Sequence, residues 1–239
     1  MKTNLEKAME MEKEYRKLQT DHKAKTEFGY NEKLKEFGFN NTAEYERAKD
    51  EHYLKTSNIQ ILEIVSTEFP NLIMPAILNR QETLWIGKPP SLMVWVGTDD
   101  YNKEYCIQNN IPIVPAGYIG GTIVSGIEDF AMAILTKNGS IRQTLSDMIY
   151  EEIAQYFPTA ERNRNDILIN GNKVFGIGIK DDIGNNMDFA AYQFTFKAYP
   201  EEISIICKKE MKKPPMGMLE LGEINRESLI EKIKSWINQ

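Results

Sequence analysis

Residues 165 to 180, NDILINGNKVFGIGIK, constrain the fold of this chain more than any other stretch. Ile167 and Ile169 alternate with Leu168 and Asn170, and Val174, Ile177 and Ile179 recur among glycines beyond Asn170-Gly171. Alternation at a period of two marks a strand, because successive side chains leave opposite faces of a pleated backbone. Asn-Gly is the dipeptide that a tight turn between antiparallel strands favours. The stretch therefore predicts a β-hairpin.

Around that hairpin the chain changes texture once. Its 239 residues exceed an ordinary domain but fall short of two, so one substantial core with an appendage is expected. Residues 1–57 are dominated by Lys, Glu, Asp and Asn with thin apolar stripes (Leu5, Ala8, Met9, then Tyr15, Leu18), which predicts a helical N-terminal arm. A break is expected at FGYNEKLKEFGFNN, which carries Gly29 and Gly38, after which Asn41 opens another helix with Glu44 three residues on. From residue 58 the pattern is β-rich: NIQILEIVSTEF, then Leu92 to Val96 after a Pro89-Pro90 turn, then IPIVPAGYIGGTIVSG and DFAMAIL. A helix is expected at about 141–157, where Leu145, Met148, Ile149, Ile153 and Tyr156 share a face. A long strand is expected around 189–198, and a final helix from Asn225 with Leu229, Ile230, Ile233, Trp236 and Ile237 buried. Strands and helices without a regular βαβ rhythm predict an α+β domain over 58–239, a mixed or antiparallel sheet core with flanking helices.

Composition removes several kinds of chemistry. Cys106 and Cys207 make no disulfide framework and no CxxC pair, so each is expected to be structural. His22 and His52 both lie in the charged arm, far in sequence from the β-rich core, which argues against Ser-His-Asp or Cys-His catalysis. A net charge of −6 argues against nucleic acid as partner. No apolar run is long enough to cross a bilayer, and MKTNLEKAMEMEKEYRK lacks the apolar core of a signal peptide, so a cytoplasmic protein without a membrane partner is expected.

The chemistry that remains sits at the hairpin. Lys173, just past the turn, starts from backbone fixed by two paired strands and is a candidate cation for a phosphate or an acyl carbonyl; the bland alternative is a solvated surface lysine. Asn165 and Asp166 add an amide and a carboxylate that could meet a ribose or a magnesium ion, or could serve the turn alone.

Asn165, Asp166, Lys173 and Gly176 at this spacing resemble the Asn-Asp strand and Lys-x-x-Gly segment of the biotin and lipoate protein ligase superfamily. LWIGKPPSLMVWVGTDDYNKEYCIQNNIPIV and YIGGTIVSGIEDFAMAIL are similar, in order, to the lipoate-ligase elements that precede that hairpin, the second being the glycine-rich turn and strand lining the acyl pocket. The resemblance covers roughly residues 60–239. It implies a lipoate-protein ligase-like acyltransferase, with ATP and Mg as cofactors. Such an enzyme activates a lipoate-like carboxylic acid to an acyl-adenylate and passes the acyl group to a lysine of an acceptor protein domain. Lys173 is then the catalytic cation, Asn165, Asp166, Gly120, Gly121 and Gly176 bind the nucleotide, and Asp166 holds the metal. Neither step needs a protein nucleophile.

The departures support the alternative of a catalytically silent relative that binds an acyl ligand, a nucleotide or a protein partner. Pro115 and Ala116 stand where the family carries an arginine pair, Ile119-Gly120-Gly121 where it carries three glycines, and Ser125-Gly126 where it carries His-Asp. An arginine's bidentate charged fork has no neutral substitute, which leaves Arg162, Arg164 or the KKEMKK loop as candidate replacements. Cysteine-based octanoyl transfer, disfavoured because FPTAERNR just before Asn165 holds no cysteine and Cys207 lies well beyond Lys173, and biotin ligation are the remaining branches.

Overall fold

The structure, a computed structural model, describes residues 2–18, 26–98, 100–116, 121–208 and 216–237. The chain divides into two compact units, residues 1–57 and residues 58–238. The smaller is helical: α1 (Asn4–Leu18), α2 (Thr26–Glu36) and α3 (Thr42–Thr56). Ala8, Leu34 and Tyr45 form its buried centre, with Tyr30, Phe37 and Phe39 against them. The expected break at Gly29 is absent, because α2 runs through it. Gly38, at φ +90°, is where the chain leaves that helix, a conformation open to glycine at little cost. Asn41 then caps α3 by accepting the Glu44 amide at 2.9 Å.

The larger unit begins with β1 (Gln60–Val65), a 3-10 turn, α4 (Phe69–Leu78), β2 (Thr83–Lys88) and β3 (Met93–Val96). It continues through α5 (Lys103–Gln108), β4 (Ile113–Pro115), β5 (Thr122–Ser125), β6 (Phe130–Thr136) and α6 (Ile141–Tyr156). Then come β7 (Ala160–Asn163), β8 (Asp166–Ile169), β9 (Asn172–Gly184), β10 (Met187–Phe194), α7 (Pro200–Ile206), α8 (Met218–Leu221) and α9 (Arg226–Ser235). Seven strands form one sheet in the order β1-β2-β6-β10-β9-β8-β7, and β4-β3-β5 form a second. Both are mixed, since β1 lies parallel to β2 and β4 parallel to β3 while the other pairs are antiparallel. This is the α+β architecture expected from the sequence.

The hairpin forms as the alternation demands. Asn170 (φ +51°) and Gly171 (φ +75°) make the two-residue turn between β8 and β9, both in the left-handed region that matches the twist of the flanking strands. The helices at 141 and 226 also appear where the apolar period places them, with Ile141, Leu145, Ile149 and Ile153 buried in the first and Leu229, Ile230 and Ile233 in the second. Tyr156, expected on the buried face, is exposed, and Trp236 is half-buried. The strand expected over 189–198 ends at Phe194, where the backbone turns to donate to Asp129: Phe196 N–H at 2.7 Å and Lys197 N–H at 3.1 Å.

Registered partners share a face of the sheet, and the two faces of the large sheet differ in size of side chain. One carries Ile86, Met132, Ile134, Tyr192, Phe194 and Phe175, all buried, and the Tyr192 hydroxyl donates to the Arg142 carbonyl of α6 at 2.9 Å. The other gathers Gly87, Ala131, Ala133, Ala191, Gly176 and Gly178, beside the larger Trp85, Leu135 and Phe189. Over these small residues lie α4 and the three-stranded sheet, with Phe69 edge-on to Trp85 (6.4 Å) and to Trp95 (5.5 Å). A Cβ at Gly87 stands 2.5 Å from the Phe69 ring, so this glycine is what lets the ring lie on the sheet. Gly87→Ala is expected to destabilise the larger unit by about 1–3 kcal/mol through overpacking. A chemical-denaturation midpoint checks this, and an unchanged midpoint means that the ring moves aside freely.

Candidate functional site

Small residues on one sheet face leave space, and that space is a cavity of about 690 Å³. Its floor is Ala131, Ala133, Ala191, Gly176 and Gly178, its walls include Phe69 and Ile73 of α4 and Trp95 and Ile123 of the three-stranded sheet, and Lys173 stands on its lining. The volume and apolar walls suit a small organic ligand. Among the described residues, charged side chains reach the lining only at Lys173 and Lys197.

A bulge sets the position of Lys173. Ile167 pairs with Phe175 and Leu168 with Lys173, so Val174 is the extra residue, and Val174 and Phe175 are consecutive yet both buried. On a regular strand Lys173 and Gly176, three apart, leave opposite faces. Here they share one, and a Cβ built on Gly176 stands 2.8 Å from Lys173 Cε. Gly176 pairs across the ladder with Asp166, and the lysine lies over the glycine to place Nζ 2.7 Å from Asp166 Oδ1. The lysine side chain is 59% exposed, so the ion pair is solvated.

The structure thus brings Lys173, Asp166 and Gly176 together and puts Lys173, Gly176 and Gly121 on the cavity lining. Asp166 is joined to the cavity through Lys173 and does not itself line it. Asn165 sits in the exposed turn between β7 and β8, its carbonyl accepting the Ile177 amide at 2.9 Å, away from the lining. Gly121 accepts from the Gly97 amide at 2.9 Å, and a Cβ there meets open space. Gly120 and residues 209–213 of the KKEMKK segment lie outside the described residues.

Pro115 and Ala116 do line the cavity, where the resemblance places arginines. Neither Arg162 nor Arg164 reaches it. Arg162 is held on α6 by Asp147 and by Ser146 Oγ at 3.2 Å, its guanidinium 5.4 Å from the Tyr150 ring centre, and Arg164 sits in an exposed turn at φ +55°. Gly126, where the family carries Asp, is packed under Tyr199: a Cβ there stands 1.9 Å from the phenol oxygen. That hydroxyl donates to Glu128, which also faces Lys197 Nζ at 3.3 Å. Burial and the carboxylate raise the Tyr199 phenol well above its ordinary value, so it stays protonated.

Two site residues carry no signal in the sequence. Lys197 supplies a second cation to the lining, and fully buried Asp129 holds it there by accepting the amides of Phe196, Lys197 and Gly126. Asp129 lies 68 positions from Lys197, a separation that no local pattern spans. Cys207 also lines the cavity, half-buried, and burial raises its thiol, which disfavours the thiolate that acyl transfer through sulfur needs.

Among the described residues no three His, Cys, Asp or Glu side chains gather as a metal site. A magnesium ion held mainly by nucleotide phosphates needs only one or two protein carboxylates, and Asp166 fits that role. Nor is any helix among the described residues long and apolar enough to cross a membrane.

No protein-family model matches the sequence, and no curated protein matches it. Solved structures share the fold. P. falciparum LipL1 in complex with lipoate aligns at TM-score 0.58 and 12% identity over 74% of this chain, which spans 60% of that protein's length. A bi-partite lipoate protein ligase from Thermoplasma acidophilum, solved with its E2 lipoyl domain, aligns at TM-score 0.58 and 12% identity over 76% of this chain and 82% of its own. A lipoate-protein ligase A bound with ATP aligns at TM-score 0.55 and 10% identity over 74% and 82%. The chain has the lipoate-protein ligase fold.

Proposed function

We propose that on this fold the chain is a ligase-like acyltransferase: it binds an apolar carboxylic acid in the cavity and joins it to AMP. The observation that carries this reading is an apolar cavity of about 690 Å³ with Lys173 at its lining. Burial of the chain supplies affinity, and a lysine fixed by a bulged hairpin receives the carboxylate. In the first step a carboxylate oxygen attacks the α-phosphorus of ATP and pyrophosphate leaves. In the second, the amine of an acceptor-domain lysine attacks the acyl carbonyl, AMP leaves, and the amine loses its proton to solvent. Lys173 stabilises charge on the carbonyl and phosphate oxygens in both, a preorganised electrostatic role that needs no protein nucleophile. Asp166 orients Lys173 and is the carboxylate that holds magnesium when the nucleotide brings it. Gly121 and Gly176, both on the lining, let the nucleotide approach the backbone.

One observation favours a second reading. Pro115 and Ala116 leave no guanidinium at their end of the cavity, so the chain could bind an acid without activating it. Mass spectrometry after incubation with ATP, magnesium and, separately, lipoate, octanoate and biotin decides between the two. An acyl-adenylate with any acid establishes the ligase reading. Acid bound without adenylate establishes the silent binder, and no acid bound removes both.

A further inference from the structure

One row of registered partners crosses the large sheet as Gly87, Ala131, Gln193, Gly176 and Asp166, on the face that floors the cavity. Between the small residues of that row stands Gln193, on the cavity lining and partly exposed. Its Nε2 donates to Ser125 Oγ at 3.1 Å and to the Phe194 carbonyl at 3.3 Å. Both partners only accept: a carbonyl has no hydrogen, and the single hydroxyl hydrogen of fully buried Ser125 goes to Asp129. The chemistry of the partners therefore fixes which end of the amide is nitrogen, and both of its hydrogens are engaged. Oε1 is left over. Among the described residues no group donates to it, and it is not closed off in the interior.

The place of this acceptor beside Lys173 gives it a use. Gln193 stands directly opposite Gly176, and the Lys173 side chain lies over Gly176. Side chains of directly opposite residues start about 5 Å apart, so an acid whose carboxylate meets Lys173 carries its first carbons past the Gln193 amide. Tying β10 to Ser125 on β5 uses the nitrogen alone, so bracing does not account for an acceptor held beside the cation. We propose that Gln193 is a specificity-determining residue that selects a hydroxy acid, its Oε1 accepting the hydrogen of a hydroxyl on the second or third carbon. A carboxamide oxygen only accepts, so the ligand supplies the donor. An ammonium at that position would meet the like charge of Lys173, which favours the neutral hydroxyl. The inference rests on the acid-binding reading above and narrows it to a substrate class.

Calorimetric titration of the full chain at pH 7 with octanoate, its 2-, 3- and 7-hydroxy derivatives and its 2- and 3-fluoro derivatives tests it. Fluorine adds a small polar atom with no hydrogen to donate, and the 7-hydroxy isomer keeps the composition while moving the hydroxyl to the far end. The 2- or the 3-hydroxy acid is expected to bind at least about fivefold more tightly than its fluoro counterpart and than the 7-hydroxy isomer, within the range of one hydrogen bond. In Gln193→Met, which keeps the length of the side chain and removes the amide, that ratio is expected to fall to about one, whatever the variant does to the affinity of the whole panel. Should the variant fail to fold, the wild-type ratios decide alone. Equal binding of hydroxy and fluoro acids, or a preference for the 7-hydroxy isomer, overturns this inference and leaves the acid-binding reading standing. A hydroxy preference that persists in Gln193→Met assigns the contact to another residue and likewise overturns it. No binding by any acid overturns both.

Discussion

Asp129→Ala is expected to lower the stability of the larger unit by about 3 kcal/mol or more, a fall in Tm of roughly 6–12 °C for a unit of this size. The carboxylate is fully buried and accepts three backbone amides, from Gly126 at 3.0 Å, Phe196 at 2.7 Å and Lys197 at 3.1 Å. Alanine leaves three donors unpaired, two of them buried at a cost of about 1–3 kcal/mol each unless water enters. The same residue carries a pH signature. Burial pushes its carboxyl up to about 6, against the pull of the amides and of Ser125. The folded value then lies above the unfolded one of about 3.9, so the folded chain holds this proton more firmly than the unfolded chain. Its contribution to stability is complete below about pH 4 and is lost as pH rises through about 6. The stability gap between wild type and Asp129→Asn should shrink over that window in urea titrations. A gap that is constant from pH 4 to pH 7 shows a carboxylate ionised throughout.

Lys173→Ala is expected to reduce acyl-adenylate formation by at least about a hundredfold, in the range for removing one preorganised donor from a developing charge. Stability should change by less than about 1 kcal/mol, because a solvent-exposed ion pair contributes little to folding. The two readouts separate a catalytic role from a structural one. A collapse in Tm places the lysine in the fold, and intact turnover moves the cation's role elsewhere, with Lys197 the other cation on the lining.

How much of this could be read in advance follows from the range of each interaction. The β8–β9 hairpin was legible because alternation and Asn-Gly are local signals, and α6 and α9 because a helix shows its apolar face every three to four residues. The outer strand β7, AERN, offers no alternation, since only Ala160 of it is buried. Gly29 suggested a break, yet one glycine costs a helix only about 1 kcal/mol, which packing offsets. QFTFKA kept a strand-like sequence past Phe194, and a carboxylate more than sixty positions earlier took its amides away from the ladder. The cavity itself was invisible: alanines and glycines on strands read as weak strand residues, and only registration across β6, β10 and β9 gathers them into one void. The recognised residues divided similarly, with Asp166, Lys173 and Gly176 meeting while Asn165 remained in the turn.

The extra residue in β9 gives the interval between Lys173 and Gly176 a meaning that residue identities alone lack. Three positions is an odd step, and on a pleated strand an odd step lands on the far side, so the motif is a count as much as a composition. A chain that kept Asp166, Lys173 and Gly176 at this interval but ran β9 as a regular strand, without the bulge at Val174, would conserve every letter of the pattern and point its lysine away from the aspartate. In this site the bulge is therefore as much part of the motif as its residues, and a match of Lys-x-x-Gly by letters alone would admit chains that cannot build it.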